Sequence, residues 1–160
     1  MLKQYYHADT YTTHNSVGYL VKRAHGLSLD SFEPDLAEHG LTFMQYAVMM
    51  ALRDNIALNP KDICITLRHD SGALTRVLDQ LEARGLVERR RSVEDRRAIE
   101  LHLTEQGQAA LKTVVPLVVG RINGTVKDFS HAEMDELLRL LNKLILGLQA
   151  EVASQSGASA

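Results

Sequence analysis

The sequence predicts a mainly α-helical fold with one short β-hairpin, an α+β chain in which helices dominate. Apolar residues recur at helical spacing over most of its 160 residues, and several capping patterns mark helix starts. The spacing of apolar residues changes from the 3.6 residues of a helix to the two residues of a strand only after Gly85. The length suits one domain, with or without a helical extension, and 45% hydrophobic residues are enough for a packed core.

Composition and motifs exclude several classes of protein. No stretch approaches the roughly 18 uninterrupted apolar residues of a membrane span, and residues 1–15 hold no apolar core of a secretory signal. We therefore expect a cytoplasmic protein without a membrane partner. The single cysteine, Cys64, cannot form an internal disulfide or a cysteine-based metal cluster. HExxH, GxSxG and phosphate-loop motifs do not occur, so we expect neither an enzyme nor a cofactor.

Two helices are predicted in the first third of the chain. Apolar residues at helical spacing predict a first helix over 12–29. Pro34 should interrupt it, because proline disfavours a helical residue before it. Thr42 begins the capping-box pattern TFMQ, which predicts the start of a second helix that fades near Asp54.

Residues 60–85 predict two short helices joined by a tight turn. Asn59 can cap the first helix, and Pro60 suits its first position because the missing N–H costs nothing there. Asp70 can cap the second helix, and Gly85 suits the left-handed position that ends it in a Schellman motif. This order is the helix-turn-helix pattern.

A charged hairpin and two long helices follow. Residues 86–89 and 99–103 predict short strands, and a charged hairpin directly after a helix-turn-helix is a wing. Thr104 predicts the start of a long helix that Pro116 should bend. Ser130 begins a second capping box, SHAE, for a last helix. We expect that helix to run through the leucines up to residue 148.

The second helix of the helix-turn-helix has a small, polar outward face. A helical wheel places the leucines on one side and Gly72, Arg76, Asp79 and Ala83 opposite, with Thr75 and Gln80 on the flanks. Such a face lets a helix enter the major groove, where Arg76 can reach guanine or phosphate. Free N–H groups at the helix start also favour phosphate oxygens. The alternative is an ordinary solvated face.

Positive charge is concentrated around the hairpin. Residues 84–97 carry six arginines and three acidic residues, a net charge of +3, although the whole chain carries −2. An arginine at the hairpin tip suits a narrow minor groove, and Asp95 beside Arg96 and Arg97 can orient one guanidinium. The alternative is a set of surface ion pairs. Because the hairpin directly follows a helix-turn-helix, we interpret its arginines as DNA contacts.

Residues 70–107 resemble the MarR/SlyA family of winged-helix transcriptional regulators. The matching motifs are LTR in the second helix, LExxGLVxR across its end, and DxRxxxLxLT from the wing onward. The resemblance extends over about residues 14–148. It implies a homodimer with intertwined terminal helices, a pseudopalindromic DNA operator, and release by a small aromatic or phenolic, often anionic, effector.

The resemblance also implies site residues and a division of the chain. The expected DNA contacts on the helix are Ser71, Gly72, Thr75, Arg76 and Gln80. Arg89 and Arg91 are expected to contact the DNA backbone, and Asp95, Arg96 and Arg97 are expected to contact DNA from the wing. The candidate effector residues are His14, Tyr19, Arg23 and Met44, for which interface or core packing is the alternative. The expected regions are a winged helix-turn-helix lobe over 41–104, a helical dimerisation region over 1–40 and 105–150, and a flexible tail over 151–160.

The sequence therefore predicts a homodimeric, ligand-responsive DNA-binding repressor. The alternative is a winged-helix dimer that binds another protein and no operator. The salt dependence of binding distinguishes the two functions, because affinity for DNA falls steeply as the salt concentration rises. Cys64 is interpreted as a structural thiol within the helix-turn-helix. His39 is interpreted as a surface or satisfied core group, with metal binding beside Glu38 as the alternative, and no metal site is expected.

Overall fold

The computed structural model describes residues 4–92 and 99–157. This part of the chain contains six α-helices and one two-stranded antiparallel sheet, preceded by the short 3-10 helices Ala8–Thr10 and Thr13–Asn15, which confirms the mainly helical fold. In chain order the elements are α1 Val17–Glu38, α2 Phe43–Arg53, α3 Pro60–Leu67, α4 Ser71–Ala83, β1 Val87–Arg91, β2 Ile99–Leu103, α5 Glu105–Thr125 and α6 His131–Gly157. The chain divides into two compact units, Met1–Arg121 and Ile122–Ala160.

The first helix differs from its predicted bounds at both ends. It begins at Val17, where the Ser16 side chain caps it, and not at residue 12. It also continues through Pro34, so the predicted interruption there is wrong. Proline removes one hydrogen bond from the helix, but Phe32 and Leu36 on either side of it are buried in the core. Burial of two large apolar side chains offsets that loss.

The predicted starts of α2 and α3 are confirmed. Thr42 Oγ1 accepts a hydrogen bond from the Gln45 backbone N–H at 3.2 Å, and the Thr42 N–H donates to Gln45 Oε1 at 3.0 Å. Asn59 Oδ1 accepts from the Asp62 N–H at 2.9 Å, directly before Pro60. Both starts are local, because each needs only residues three positions apart.

The end of α4 is the predicted Schellman motif. Gly85 has a φ of 66°, and its N–H donates to the Glu82 carbonyl at 2.8 Å. The Leu86 N–H donates to the Leu81 carbonyl at 2.9 Å, which satisfies another free carbonyl of the last turn. The motif turns the chain back along α4 and sets the direction of β1.

The hairpin pairs β1 and β2 in antiparallel register. Val87 lies opposite Leu103, and Arg89 lies opposite Leu101. Val87 and Leu101 are both buried. Because side chains alternate between the two faces of a strand, Arg89 shares the inward face of β1 with Val87. The strand also runs to Arg91, two residues beyond its predicted end.

The junction of the hairpin with α5 is tight. Thr104 Oγ1 donates to the Gly85 carbonyl at 2.6 Å and accepts from the Gly107 N–H at 3.0 Å. A Cβ on Gly107 would lie 2.1 Å from the Leu86 carbonyl oxygen, so the position has room for glycine only. Beyond this turn α5 runs through Pro116 as one helix and buries one side in the core of its unit.

The last helix begins as predicted and ends later. Its capping box is present, with the Ser130 N–H donating to Glu133 Oε2 at 2.8 Å and the Glu133 N–H donating to Ser130 Oγ at 3.3 Å. The helix continues to Gly157, so its predicted end near residue 148 is wrong. Residues 149–156 contain neither glycine nor proline, so nothing local ends the helix earlier. None of the helices within residues 4–92 and 99–157 combines the length and the hydropathy of a membrane-spanning segment.

Candidate nucleic-acid interface

The carboxylate of Asp70 caps the start of α4. Asp70 Oδ1 accepts hydrogen bonds from the N–H groups of Gly72 at 2.9 Å and Ala73 at 3.0 Å. The expectation that free N–H groups there attract phosphate is therefore wrong for these two donors. A carboxylate already occupies the position that a phosphate oxygen would take.

The two faces of α4 are those that the helical wheel predicts. Its buried residues are Leu74, Leu78 and Leu81. The predicted DNA contacts on this helix are all exposed, and they are Ser71, Gly72, Thr75, Arg76 and Gln80. Arg76 forms no ion pair within residues 4–92 and 99–157. The outward face therefore carries a guanidinium that is available to a ligand.

Gln80 is held from the neighbouring helix. The Gln45 side chain on α2 donates from Nε2 to Gln80 Oε1 at 2.9 Å, and Gln45 itself is buried. This bond fixes the orientation of the Gln80 amide, so its NH2 group is the part left to donate to a base or a phosphate.

The arginines of β1 have different surroundings. Arg89 pairs with two carboxylates of α4, Asp79 at 2.6 Å and Glu82. Arg90, on the opposite face of the strand, pairs with Glu88. Arg91 is exposed and has no ion pair within the described part of the chain. Of the two predicted backbone contacts, only Arg91 is therefore open to a phosphate without losing a protein partner.

The wing tip cannot be placed on this surface. Asp95, Arg96 and Arg97 lie outside the described residues. Their roles stay predictions from the sequence. What the structure describes of the hairpin is its base, from Val87 to Arg91 and from Ile99 onward.

A cavity of about 590 Å³ lies on another side of the same unit. Its walls are largely apolar, with Leu52, Leu101 and Leu111 buried beneath it. Two cationic side chains, Arg53 and Lys112, also line it. The Arg53 Nε donates to Asp54 at 2.8 Å, whereas Lys112 has no ion pair among the described residues. The volume and the mixed lining are typical of small-molecule pockets.

The predicted effector residues do not line this cavity. His14, Tyr19 and Arg23 are exposed on the first part of the chain, and Met44 packs against the core. Cys64 also packs against the core. Among the described residues, no group of three His, Cys, Asp or Glu side chains is placed to hold a metal ion.

Sequence reasoning missed three residues that organise this surface. The capping box explains Gln45 only as a local cap, and helical periodicity gives Asp79 and Glu82 no partner. A usable signal exists for the two carboxylates, because residues three positions apart share one side of a helix. Arg89 follows four residues after Gly85, on the strand that returns along that helix.

The comparisons with known proteins agree on one family. A family model described as MarR family matches residues 39–98. The transcriptional regulator SarZ of Staphylococcus epidermidis is 41% identical over 103 residues, which cover 62% of this chain and 70% of SarZ. The chain spans only 57% and 59% of the length of two other curated regulators that it matches.

Solved structures match over more of the chain. A cysteine-to-serine mutant of Escherichia coli MarR in complex with operator DNA is 27% identical with a TM-score of 0.71, over 86% of this chain and 99% of that one. Bordetella bronchiseptica BpsR, whose DNA binding is regulated by 6-hydroxynicotinic acid, is 28% identical with a TM-score of 0.72, over 84% of this chain and 96% of that one. On the motifs, the fold and these matches, the chain belongs to the MarR family of winged helix-turn-helix regulators.

Proposed function

We propose that this chain is a homodimeric DNA-binding transcriptional repressor that binds a pseudopalindromic operator. The observation that carries the proposal is the outward face of α4, where exposed small and polar residues surround the guanidinium of Arg76, which has no ion pair within residues 4–92 and 99–157. Small side chains let the helix approach base edges, and an arginine can donate to O6 and N7 of guanine. The similarity to MarR in its operator complex supports this role.

Exposed apolar side chains support the homodimer. They occur on α1, on the second half of α5 and along α6, and include Leu20, Leu27, Val119, Ile122, Leu138, Ile145, Leu146 and Leu148. Long helices with this much uncovered apolar surface are typical of obligate interfaces. A second copy suits them, because a two-fold dimer presents two α4 helices to the two halves of a pseudopalindrome.

Binding-site selection from a random duplex library tests the base-reading role of Arg76. For Arg76→Ala we expect preference to relax at one base position in each half-site, with a loss of about 1–3 kcal/mol in binding free energy. Arg91→Ala is the matched control. We expect it to weaken all sequences alike, because a phosphate contact carries no sequence information.

Two outcomes would contradict the proposal. Identical sequence logos for wild type and Arg76→Ala would remove Arg76 from base reading. Failure of the wild type to bind any duplex with steep salt dependence would instead favour the protein-interaction alternative.

We further propose that a small aromatic carboxylic acid or phenol releases the protein from DNA by binding in the cavity next to Lys112. An aromatic ring suits the leucine walls, and an ammonium without an ion-pair partner among the described residues suits a carboxylate. The regulation of BpsR by an aromatic acid supports this class of ligand.

A thermal-shift screen of phenols and aryl carboxylic acids tests the effector proposal, since a ligand of the folded state raises the melting temperature. Lys112→Gln should reduce the shift caused by an acid but not by its uncharged amide. Arg23→Gln tests the site that the sequence predicted. A shift that only Arg23→Gln reduces would move the effector from the cavity to α1.

A further inference from the structure

Arg89 is clamped between β1 and α4. Its Nη2 lies 2.6 Å from Asp79 Oδ1, and its Nη1 donates to Glu82 Oε2. Asp79 and Glu82 are three positions apart, so both carboxylates point to the same side of α4. One planar guanidinium therefore bridges a strand and the helix that we propose enters the major groove.

The position of Arg89 on its strand explains this arrangement. Arg89 shares a face of β1 with the buried Val87, and its strand partner Leu101 is buried too. Its side chain is 28% exposed, whereas that of Arg90 on the other face is 61% exposed. The hydrogen bond to Asp79, with the attraction of Glu82, raises the pKa of Arg89 above its usual range. The guanidinium is thus charged, and its partners belong to the protein.

The ion pair between Arg89 and Asp79 affects DNA binding through the charge of Asp79. The Asp79 side chain is 58% exposed beside the outward face of α4, where an unpaired negative charge would repel phosphates. Arg89 neutralises that charge. Its ion pairs also restrain the rotation of α4 about the helix axis. The buried leucines provide less of this restraint, because apolar packing is not directional.

We propose that Arg89 is a positioning residue for DNA recognition that acts through Asp79 and Glu82 and does not contact a phosphate. The inference rests on the proposed DNA binding and changes the role that the sequence predicts for this arginine. It places sequence discrimination by α4 partly under the control of β1.

The salt dependence of DNA affinity separates the two roles. The probes are a labelled duplex that wild type selects from a random library and a scrambled duplex of the same composition. Arg89→Ala should lower affinity for the selected duplex about tenfold more than affinity for the scrambled duplex, whose smaller loss reflects the repulsion between phosphates and the Asp79 carboxylate left without Arg89. The slope of log affinity against log salt should stay that of wild type. In the control Arg91→Ala the slope should decrease by about 0.9, the value for one phosphate.

A double-mutant cycle adds a second criterion. In the Asp79→Asn, Glu82→Gln background Arg89 has no carboxylate to hold, so Arg89→Ala should cause no further loss of discrimination between the two duplexes. A phosphate contact would cost the same in both backgrounds. Arg89→Lys should restore discrimination only in part, because an ammonium does not reproduce the guanidinium fork.

Folding and function are separated by the design. All variants are compared at a temperature at which circular dichroism shows them folded, and a purely structural role would lower melting without changing the ratio of the two affinities. An unchanged ratio in Arg89→Ala, a slope reduced by about 0.9, or an undiminished loss in the double-variant background would each overturn the inference. If wild type binds neither duplex, the proposed function itself fails.

Discussion

The helices α4 and α6 differ in how much of their apolar surface the chain itself covers. The three buried leucines of α4 have at most 2% of their surface exposed. In α6 none of the described side chains is buried, and Leu146 is 67% exposed. Both helices have capped starts, so local signals form each of them equally well. The apolar side of α4 is therefore covered by residues of its own lobe, whereas that of α6 is left uncovered by the described residues, and we propose that a second copy covers it.

The largest expected effect comes from charges on the apolar side of α6. Leu138 and Ile145 are seven positions apart, so they lie on the same side of the helix. We expect Leu138→Glu with Ile145→Glu to weaken the homodimer by about 100-fold or more, because each substitution places a charge in an apolar interface. Sedimentation at several protein concentrations measures the change.

Lys143→Glu is the control for this pair, since it changes charge on the polar side of the same helix. We expect it to leave the dimer intact. A double variant that sediments like wild type, or a wild type that is monomeric at micromolar concentration, would remove the homodimer from the proposal.

Two glycines of α5 differ in the space around them. Gly107→Ala should destabilise the lobe by about 2–4 kcal/mol, because its Cβ would overlap the Leu86 carbonyl and separate α5 from the hairpin. At Gly120 no atom of another described element lies within 4 Å of the position that a Cβ would take. Gly120→Ala should therefore be neutral or stabilising by up to about 1 kcal/mol. Chemical denaturation measures both, and equal effects would contradict the tight junction at Thr104.

The cap of α4 provides a smaller effect inside the lobe. Asp70→Ala removes the acceptor of two N–H groups and should cost about 1 kcal/mol of unfolding free energy. Asp70→Ser keeps an acceptor and should lose less. The cost should be the same at every protein concentration at which the dimer is intact, unlike that of the α6 pair. No difference between Asp70→Ala and Asp70→Ser would show that the cap contributes nothing.

The smallest effect is a pH dependence at the contact of α1 with α5. Arg121 donates two hydrogen bonds to Asp35, at 2.7 and 2.9 Å, and these hold the pKa of the Asp35 carboxyl below its usual value. A depressed carboxyl pKa contributes stability that is present above the unfolded pKa and is lost as the pH falls through the folded pKa. The stability difference between wild type and Arg121→Gln should therefore shrink from neutral to acid pH. A difference that is constant with pH would contradict the pairing.

Most helix boundaries could be predicted because their causes are local. Thr42, Asn59 and Ser130 each bond to a residue three positions away, and Gly85 needs only its own φ and the preceding turn. The predicted interruption of α1 at Pro34 is wrong because residues far apart in the chain decide the outcome there. Phe32 and Leu36 pack against other elements, and one proline does not outweigh that burial.

The candidate DNA-binding surface divides in the same way. The outward face of α4 follows from periodicity, so Arg76, Thr75 and their neighbours could be placed without a structure. The role of Arg89 could not. Three consecutive arginines look alike in composition. Arg89 and Arg91 share one face of β1, and only the packing of β1 on α4 brings Arg89 against the carboxylates of α4.

Local sequence patterns are enough to predict where most helices begin, which face of α4 is apolar, and which family the chain resembles, because those properties depend on residues within a few positions of one another. The packing of the elements is needed to show that Gln45 holds Gln80, that Arg89 joins β1 to Asp79 and Glu82, and that a cavity lies beside Lys112. These features join residues far apart in the chain. Their geometry depends on how helices and strands pack, which no local pattern specifies.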